Sequence, residues 1–308
     1  MNTPTISILV VTYNRSQIVR RAVDSILAQT YQDFEIILVN NGSTDNTSAV
    51  LAPYLDNEKI RYFTISENKG AAAGFNFAFD QIQGEWFTLL PDDDVLLPSA
   101  FETLLKIPQN IDPTITAVTC NCIDSSTRGF SGYGLYESQF LDLEKIVKNC
   151  SGEFYGITKT ELLGNKRLNV DLIGYEDSFW YQIDAIAKRY YLHEAHRIYS
   201  TEIDPLYRIS MTNESHQRNI KRKVQLYSVL LHEDFYWKVT KKYNLKEFLM
   251  RSFYGWFFLH LVKDKEGSQG YAQKLAEIPG FNKYKLFSMI FTLMGTKISK
   301  FLYVKKLV

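Results

Sequence analysis

The sequence has few cysteines and no long apolar segment near either end, and each shortage excludes a class of protein. Three cysteines, Cys120, Cys122 and Cys150, are too few for a disulfide framework or a four-ligand zinc site, and the count is typical of a reducing cytoplasm. The apolar segment 286–296 is too short to span a bilayer. No basic segment precedes the first apolar run, ISILVV, so we expect no signal peptide.

The net charge of +1 conceals an asymmetry between two parts of the chain. Residues 217–308 contain 18 Lys and Arg against 6 Asp and Glu, a balance of +12, and the remainder carries −11. With 45% hydrophobic residues in 308, the chain can bury a large core. We therefore predict an acidic α/β body over 1–216 and a basic, aromatic-rich helical extension over 217–308.

The first hundred residues alternate between two hydrophobic periods. Continuous apolar runs, ISILVV, FEIILVN, IRYFTI and EWFTLL, are separated by segments of helical spacing such as SQIVRRAVDSILAQ. Four strands joined by helices predict an open, mostly parallel sheet flanked by helices. Cys120 and Cys122 lie in another strand-like run, ITAVTCNCI, and are predicted to be core thiols on one face.

Polar loops follow each of these four strands. They are TYNRS (12–16), NNGSTD (40–45), SENKG (66–70) and PDDD (91–94). Ligands of open α/β sheets lie beyond the carboxyl ends of the strands, so the four loops are expected to form one site.

The last loop holds three consecutive acids, Asp92, Asp93 and Asp94, between two apolar runs. Desolvation and mutual repulsion make such a cluster costly unless a cation or a ring of donors compensates it, which favours a bound divalent metal. The alternative is a solvated turn that caps the following helix.

VVTYNR, VNNGSTDNT, NKGAAAGFN and LPDDD, in this order and spacing, resemble the nucleotide-binding half of the family 2 glycosyltransferases with the GT-A fold. The resemblance is strong over residues 5 to 100 and weaker to about 210. It implies an inverting, metal-dependent transfer of a hexosyl or deoxyhexosyl group from a nucleotide-diphosphate sugar. The implied acceptor is a hydroxyl of a glycan or lipid-linked molecule in cell-surface polysaccharide synthesis, with no nucleic acid as partner.

If the acid triplet is extended, Asp92 and Asp94 point to one side and Asp93 to the other. The resemblance then implies that Asp94 binds the Mg²⁺ or Mn²⁺ that bridges the phosphates and that Asp92 reaches the ribose or the metal. A hard cation held by carboxylates would act as a Lewis acid on the leaving group.

The resemblance implies a nucleotide-binding set drawn from all four loops: Thr12, Tyr13, Asn14, Arg15, Asn40, Asn41, Lys69, Gly70, Asn76, Asp92 and Asp93. Arg15 is expected near the diphosphate, the alternative being a surface cation. The family commonly has an Asp that accepts the N3 proton of uracil or thymine where this chain has Asn40 and Asn41. A neutral amide can still accept that proton, so UDP or dTDP is expected in preference to GDP.

An inverting transfer needs a general base. The segment YEDSFW resembles the family's base position, which implies catalysis by Asp177, with Glu176 and Trp180 near the sugar or acceptor. The alternative for both acids is favourable charge at a helix N-terminus. Related enzymes often carry, after this helix, a His that completes the metal shell or a basic residue that closes over the diphosphate. His193, His196 and His216 compete for that role, and His216, in a polar loop beside Arg218, is favoured, while His193 and His196 are expected on a strand face.

From Phe281 onward the chain has six lysines and no acid. Residues 281–308 are therefore predicted to bind an anionic membrane surface, which would make the protein cytoplasmic and peripheral on the inner face of the cell membrane. The alternative is a helical interface of a homo-oligomer.

Two other functions are open. A sugar nucleotidyltransferase should have a Gly-rich phosphate loop after the first strand, and VVTYNRSQ contains no glycine. A non-catalytic protein that binds nucleotide sugars would need no base, so the YEDSFW segment separates it from an enzyme.

Overall fold

The computed structural model describes residues 3–172, 174–201, 220–280 and 282–304. Within these ranges the chain divides into two compact units. The first contains the sheet and comprises residues up to 170 together with 182–201; the second is helical and comprises 171–181 together with the residues from 220 onward. Residues 171–181, which the sequence predicts to lie in the α/β body, cluster with the C-terminal helices.

The first half of the sheet unit alternates strand and helix, as predicted. Its strands are β1 (Ile6–Thr12), β2 (Phe34–Asn41), β3 (Ile60–Ile65) and β4 (Trp86–Leu89), and its helices are α1 (Val19–Leu27), α2 (Thr47–Leu51) and α3 (Ala71–Phe79). The strands lie in the order β3-β2-β1-β4 and are all parallel. β1 and β2 are buried along their whole length, as expected for parallel strands rich in Val, Ile and Leu.

Because these strands are parallel, their carboxyl ends meet at one edge, which we call the strand-end rim. Thr12, Asn41, Ile65 and Leu89 end the four strands there. The predicted meeting of the polar loops at one edge is thus confirmed by the strand directions.

The second half of the sheet is mixed. The strands that follow β4 along the chain are β5 (Val95–Leu96), β6 (Ala117–Asp124), β7 (Gly132–Tyr133), β8 (Gln139–Leu141), β9 (Ser151–Gly152), β10 (Phe154–Lys159) and β11 (Arg189–Tyr199). The helices between them are α4 (Ala100–Asn110), α5 (Leu143–Asn149) and α6 (Asp177–Asp184). The order continues β4-β10-β6-β11-β5, while β8 also pairs with β11, and β7 pairs with β9. β10 is antiparallel to both of its neighbours and β11 is parallel to β6.

The two cysteines of β6 are core thiols, as predicted. Cys120 and Cys122 have no exposed surface and pack in the main hydrophobic core of the sheet unit. Burial raises the pKa of the Cys122 thiol to about 11, so it stays protonated at neutral pH.

The helical unit is built on aromatic side chains. Its helices are α7 (Ile220–Leu230), α8 (Asp234–Tyr243), α9 (Leu245–Leu261), α10 (Lys265–Ala276) and α11 (Lys283–Val304). In α9, Gly255 lies so close to Tyr271 of α10 that a Cβ would approach the phenol ring to 2.3 Å. Among the described residues, no helix combines the length and apolar character that crossing a bilayer requires.

Candidate active site

The three consecutive acids lie in a tight turn, residues 91–94, which we call the acid turn. The N–H of Asp94 donates to the carbonyl of Pro91 at 3.1 Å. The expectation of an extended segment is therefore wrong. The solvated turn is also wrong, because Asp92 is only 6% and Asp94 1% exposed, while Asp93 is half-buried.

Arg15, from the loop after β1, binds two of these acids. Its Nη1 atom lies 2.8 Å from Asp92 Oδ1 and 2.7 Å from Asp93 Oδ2. The Arg15 side chain is buried, so the alternative of a surface cation is wrong. A guanidinium between two carboxylates offsets their repulsion, and Arg15 therefore stabilises the acid turn.

The end of β11 holds the third acid. Asp94 Oδ1 accepts the backbone N–H of Ser200 at 2.8 Å, and Nε of the buried Arg197 lies 3.4 Å from Asp94 Oδ2. Arg197 also pairs with Glu153 at 3.1 Å. Because β5 follows the acid turn directly and pairs with β11, backbone and side chains fix Asp94 together.

Two buried carboxylate oxygens of the acid turn, Asp92 Oδ2 and Asp94 Oδ2, accept no hydrogen bond within the described residues. Asp94 Oδ2 has only the charge of Arg197 beside it, at 3.4 Å from Nε. Burial raises the pKa of both carboxyls to about 6, against the opposing charges of Arg15 and Arg197. Since native proteins rarely leave buried acceptors unpaired, this arrangement fits a cation that prefers oxygen ligands, as Mg²⁺ and Mn²⁺ do.

A complete metal cage of protein ligands is not formed in the described ranges, where no group of three or more His, Cys, Asp and Glu side chains could hold an ion. Mg²⁺ is commonly bound by one or two carboxylates together with substrate phosphates and water. Asp92 and Asp94 therefore fit a site that a diphosphate would complete.

The loops after β1 and β2 are joined by hydrogen bonds at the strand-end rim. Asn14, which has a positive φ of 51°, accepts the N–H of Thr44 at 2.8 Å and donates its own N–H to Ser43 at 3.0 Å. Asp45 accepts the N–H groups of Ser16 and Thr47. These side chains hold Thr12 and Tyr13 at the rim, where Thr12 is buried and Tyr13 is 39% exposed.

The two asparagines that end β2 differ in their hydrogen bonding. Asn40 donates to Ser48 and Tyr62 and accepts the N–H of Ser43, so both ends of its amide have protein partners. Asn41 donates to Asn68 at 3.1 Å and to the carbonyl of Gly70 at 3.0 Å.

The carbonyl oxygen of Asn41 is the atom available to a ligand. Its two donor contacts fix the orientation of the amide, and Oδ1 is buried without a partner among the described residues. Asn41 Oδ1, Asp92 Oδ2 and Asp94 Oδ2 are all acceptors without a hydrogen bond from the described residues, so the strand-end rim offers acceptors to a ligand.

The third loop contributes backbone more than side chains. Gly70 has a φ of 90°, which a glycine adopts without strain, and a Cβ there would meet open space. Lys69 is exposed, and its Nζ atom lies 3.5 Å from Oε1 of Glu67. Gly74 serves packing, because a Cβ would come within 2.5 Å of Val11.

Asn76 was predicted to bind nucleotide, but the structure gives it another role. Its Nδ2 donates to the carbonyl of Leu168 at 2.8 Å and its Oδ1 accepts the N–H of the same residue at 2.8 Å. Both ends of the amide thus help to attach α3 to a neighbouring segment, and nucleotide binding by Asn76 stays a prediction.

The predicted base lies in the helical unit, at the first position of α6. Glu176 Oε1 accepts the N–H of Gly174 at 3.0 Å and so closes the turn before the helix, whereas Asp177 is an exposed residue in the first turn. Tyr175 anchors this turn by contacting Arg251 of α9, whose guanidinium lies 4.6 Å from the phenol ring. Trp180 is half-buried beside Phe179.

The predicted loop residues His216 and Arg218 lie outside the described residues. His193 and His196 belong to β11, as expected. His196 is buried with Nε2 at 3.1 Å from Glu194, and His193 Nδ1 is 3.1 Å from the Tyr191 hydroxyl.

Arg197, Ser200 and Arg251 belong to the candidate site although no motif in the sequence marks them. Arg197 and Ser200 follow Asp94 by more than a hundred positions, and only the pairing of β5 with β11 brings them together. The one available signal was a charged side chain inside the strand-like YYLHEAHRIY, since a buried arginine needs an acidic partner.

Comparison with known proteins identifies the family. The pattern of the family described as "Glycosyl transferase family 2" matches residues 7–172, a range that contains the strand-end rim and the acid turn. A relative from Campylobacter jejuni, GalNAc(5)-diNAcBac-PP-undecaprenol beta-1,3-glucosyltransferase, is 34% identical over 203 residues, covering 64% of this chain and 64% of that protein. Glycosyltransferase GlyG of Streptococcus pneumoniae is 30% identical over 153 residues, covering 48% and 51%. The chain thus spans less than two thirds of either relative.

Solved structures share the fold. S. aureus TarS 1–349, in complex with UDP-GlcNAc, matches with a TM-score of 0.63 at 19% identity, over 89% of this chain and 80% of that one. The mannosyltransferase PcManGT from Pyrobaculum calidifontis, in complex with GDP-Man and Mn²⁺, matches with a TM-score of 0.54 at 15% identity, over 99% and 87%. These likenesses show the GT-A fold. Since the family pattern covers more than half of the chain, the protein belongs to glycosyl transferase family 2.

Proposed function

We propose that the protein is an inverting glycosyltransferase that moves a sugar from a nucleotide diphosphate to a hydroxyl of a glycan or lipid-linked acceptor. The observation that carries the proposal is a set of buried acceptors at the strand-end rim that form no hydrogen bond within the described residues: Asn41 Oδ1, Asp92 Oδ2 and Asp94 Oδ2. A ligand with an N–H group at one end and a diphosphate-bound cation at the other would satisfy all of them. A nucleotide-diphosphate sugar has this character.

Asp92 and Asp94 would hold the Mg²⁺ or Mn²⁺, which supplies Lewis acidity at the diphosphate leaving group. The protein's own contribution is to keep both carboxylates in place before the donor arrives. Arg15 holds Asp92, while Arg197 and the N–H of Ser200 hold Asp94. A preorganised site of this kind needs little rearrangement when charge develops on the leaving group.

Asn41 would read the base. Its carbonyl can accept the N3 proton of uracil or thymine, whereas Asn40 already uses its carbonyl for Ser43. An unpaired acceptor at the end of β2 supports UDP or dTDP in preference to GDP.

Asp177 would deprotonate the acceptor hydroxyl. Glu176 is engaged with the backbone of Gly174, whereas Asp177 is exposed at the first position of α6. The contact between Tyr175 and Arg251 would fix the position of the start of α6, where Asp177 lies. This role distinguishes the enzyme from a protein that only binds nucleotide sugars.

The Campylobacter relative is named for an undecaprenol-linked acceptor, which supports a lipid-linked acceptor here. Such acceptors reside at a membrane, so we place the protein at the inner face of the cell membrane, in cell-surface polysaccharide synthesis. A nucleotidyltransferase is disfavoured because the loop after β1 has no glycine and its arginine is committed to the acid turn.

A donor panel tests the proposal. UDP-, dTDP- and GDP-sugars would be compared for the rise in unfolding temperature that they cause with Mn²⁺ and with EDTA. We expect a clear rise with UDP- or dTDP-sugars and Mn²⁺, and little with EDTA. A protein stabilised by no nucleotide sugar under either condition would contradict the proposed function.

Asn41→Ala is expected to weaken UDP binding about tenfold, the effect of losing one buried hydrogen bond to the base. Asn76→Ala is the matched control, because it also removes an asparagine with two amide contacts, both of them to the backbone of Leu168. Calorimetric titration with UDP and Mn²⁺ measures both. Equal loss of affinity in the two variants would mean that Asn41 acts through stability and does not contact the base.

A further inference from the structure

The first half of α11 exposes an apolar stripe. Leu286, Met289, Ile290 and Leu293 are 37%, 63%, 40% and 87% exposed. Their spacing of three and four positions places them on one face of the helix. Large apolar side chains exposed together at helical spacing mark an interaction surface.

The opposite face of α11 already holds the helix in its unit. Phe291 is buried, and its ring lies 5.2 Å from that of Phe257 and 6.3 Å from that of Phe253, both in α9. Packing within the unit therefore accounts for the inward face and leaves the stripe unexplained.

Charges beside the stripe have one sign. Lys283 lies one turn before Leu286, and Lys297 and Lys300 follow Leu293 at positions four and seven along the chain; all three are exposed. The sequence has no acid from Phe281 to its end. The backbone changes direction at Gly295, with φ 72° and ψ 165°, so the apolar stripe and the last lysines lie on either side of a kink.

We propose that α11 lies on an anionic lipid surface, with the apolar stripe inserted among the acyl chains and the lysines at the headgroups. A twofold contact between two copies would place the lysines of one stripe near those of the other, which repel. An anionic bilayer complements both the apolar and the basic side chains. The inference rests on the proposed function in one respect: a lipid-linked acceptor would explain why the protein binds a membrane.

The test is co-sedimentation of the full chain with vesicles of phosphatidylglycerol and phosphatidylethanolamine, and with vesicles of phosphatidylcholine alone. We expect binding to the anionic vesicles, at least tenfold weaker binding to phosphatidylcholine, and weakening by salt. The double variant Met289→Gln/Leu293→Gln is expected to bind at least tenfold more weakly. Ile111→Gln/Ile186→Gln, which changes two exposed isoleucines of the sheet unit, is the matched control and should bind like the wild type.

Two results would overturn the inference: equal binding of all these proteins to anionic vesicles, or sedimentation-velocity dimers that the stripe variant alone abolishes without any vesicle binding. Stabilisation by UDP and Mn²⁺ is measured on each variant as well. If the stripe variant binds anionic vesicles as strongly as the wild type and still binds nucleotide, the membrane inference fails while the proposed function stands. If vesicle binding follows the stripe but no nucleotide binds, the proposed function fails alone.

Discussion

Asp94→Asn is expected to bind UDP equally in Mn²⁺ and in EDTA, and to lose about 10²-fold or more in sugar transfer. The variant keeps the shape of the side chain, and its carbonyl can still accept the N–H of Ser200, but it lacks the anionic oxygen. A Lewis acid on a phosphate oxygen is worth several kcal/mol, and about 1.4 kcal/mol corresponds to a tenfold rate change. Titration calorimetry with UDP and initial transfer rates measure the two effects.

The same substitution should spare the folded state. Burial raises the pKa of Asp94 to about 6 from 3.8, so the stability that its protonated form contributes is present at low pH and is lost as the pH rises through 6. At pH 8 the wild type therefore carries a buried charge that the variant lacks. We expect the difference in unfolding temperature, variant minus wild type, to be more positive at pH 8 than at pH 4 when both are measured in EDTA.

Asp93→Asn is the control for charge in the acid turn. It removes a carboxylate that pairs with Arg15, but this carboxylate is half-buried and is not one of the proposed ligands. We expect it to keep the Mn²⁺ dependence of UDP binding. An Asp94→Asn enzyme that turns over normally in EDTA would rule out the metal assignment, and equal damage from both variants would assign the effect to the turn instead.

Asp177→Asn is expected to retain UDP affinity and to lose turnover by about 10²- to 10⁴-fold, the range for general-base catalysis. The nucleotide site is built from the loops of the sheet unit, and the substitution changes none of them. Initial rates at saturating donor and acceptor, with UDP titration on the same sample, separate turnover from binding.

Glu176→Gln is the matched control, one position away. Its amide oxygen can still accept the N–H of Gly174, so the turn should persist and turnover should fall by much less. Both acids supply negative charge near the start of α6, which means that a helix-end effect would appear equally in both variants. Turnover above about a tenth of the wild-type value in Asp177→Asn would place the base elsewhere.

The strand-end rim could be predicted from the sequence because its cause is local. Alternation of strand and helix fixes parallel strands, and parallel strands bring the residues that follow them to one edge. Thr12, Asn41 and the acids reach the rim for this reason. The buried position of Asp92 and Asp94 was also foreseeable, since apolar runs enclose them, although the turn that they adopt was not.

Other features depend on contacts that no local pattern carries. Arg197 reaches Asp94 through the pairing of β11 with β5, which joins segments about a hundred residues apart. Asn40 and Asn41 are adjacent and identical in kind, and their hydrogen bonds distinguish them. The Asn40 carbonyl accepts the N–H of Ser43, whereas the Asn41 carbonyl accepts none from the part of the chain that the structure describes. The motif position of Asn76 likewise does not reveal that its amide is hydrogen-bonded to Leu168.

The assignment of residues 171–181 to the helical unit was likewise beyond sequence reasoning. The segment lies between parts of the sheet unit in the chain, yet Leu172 and Tyr175 pack in the aromatic core of the C-terminal helices. The basic extension therefore shares a unit with the proposed base.

We infer that the acid turn holds a divalent ion between the protein and a nucleotide diphosphate. A crystal structure of the protein with UDP and Mn²⁺, recorded at the manganese absorption edge, would locate that ion. We expect an anomalous peak about 2.0–2.5 Å from Asp94 Oδ2, in contact with diphosphate oxygen, and the uracil N3 within hydrogen-bond distance of Asn41 Oδ1. UDP bound at the strand-end rim with no ion at the acid turn, or an ion bound only elsewhere, would contradict it.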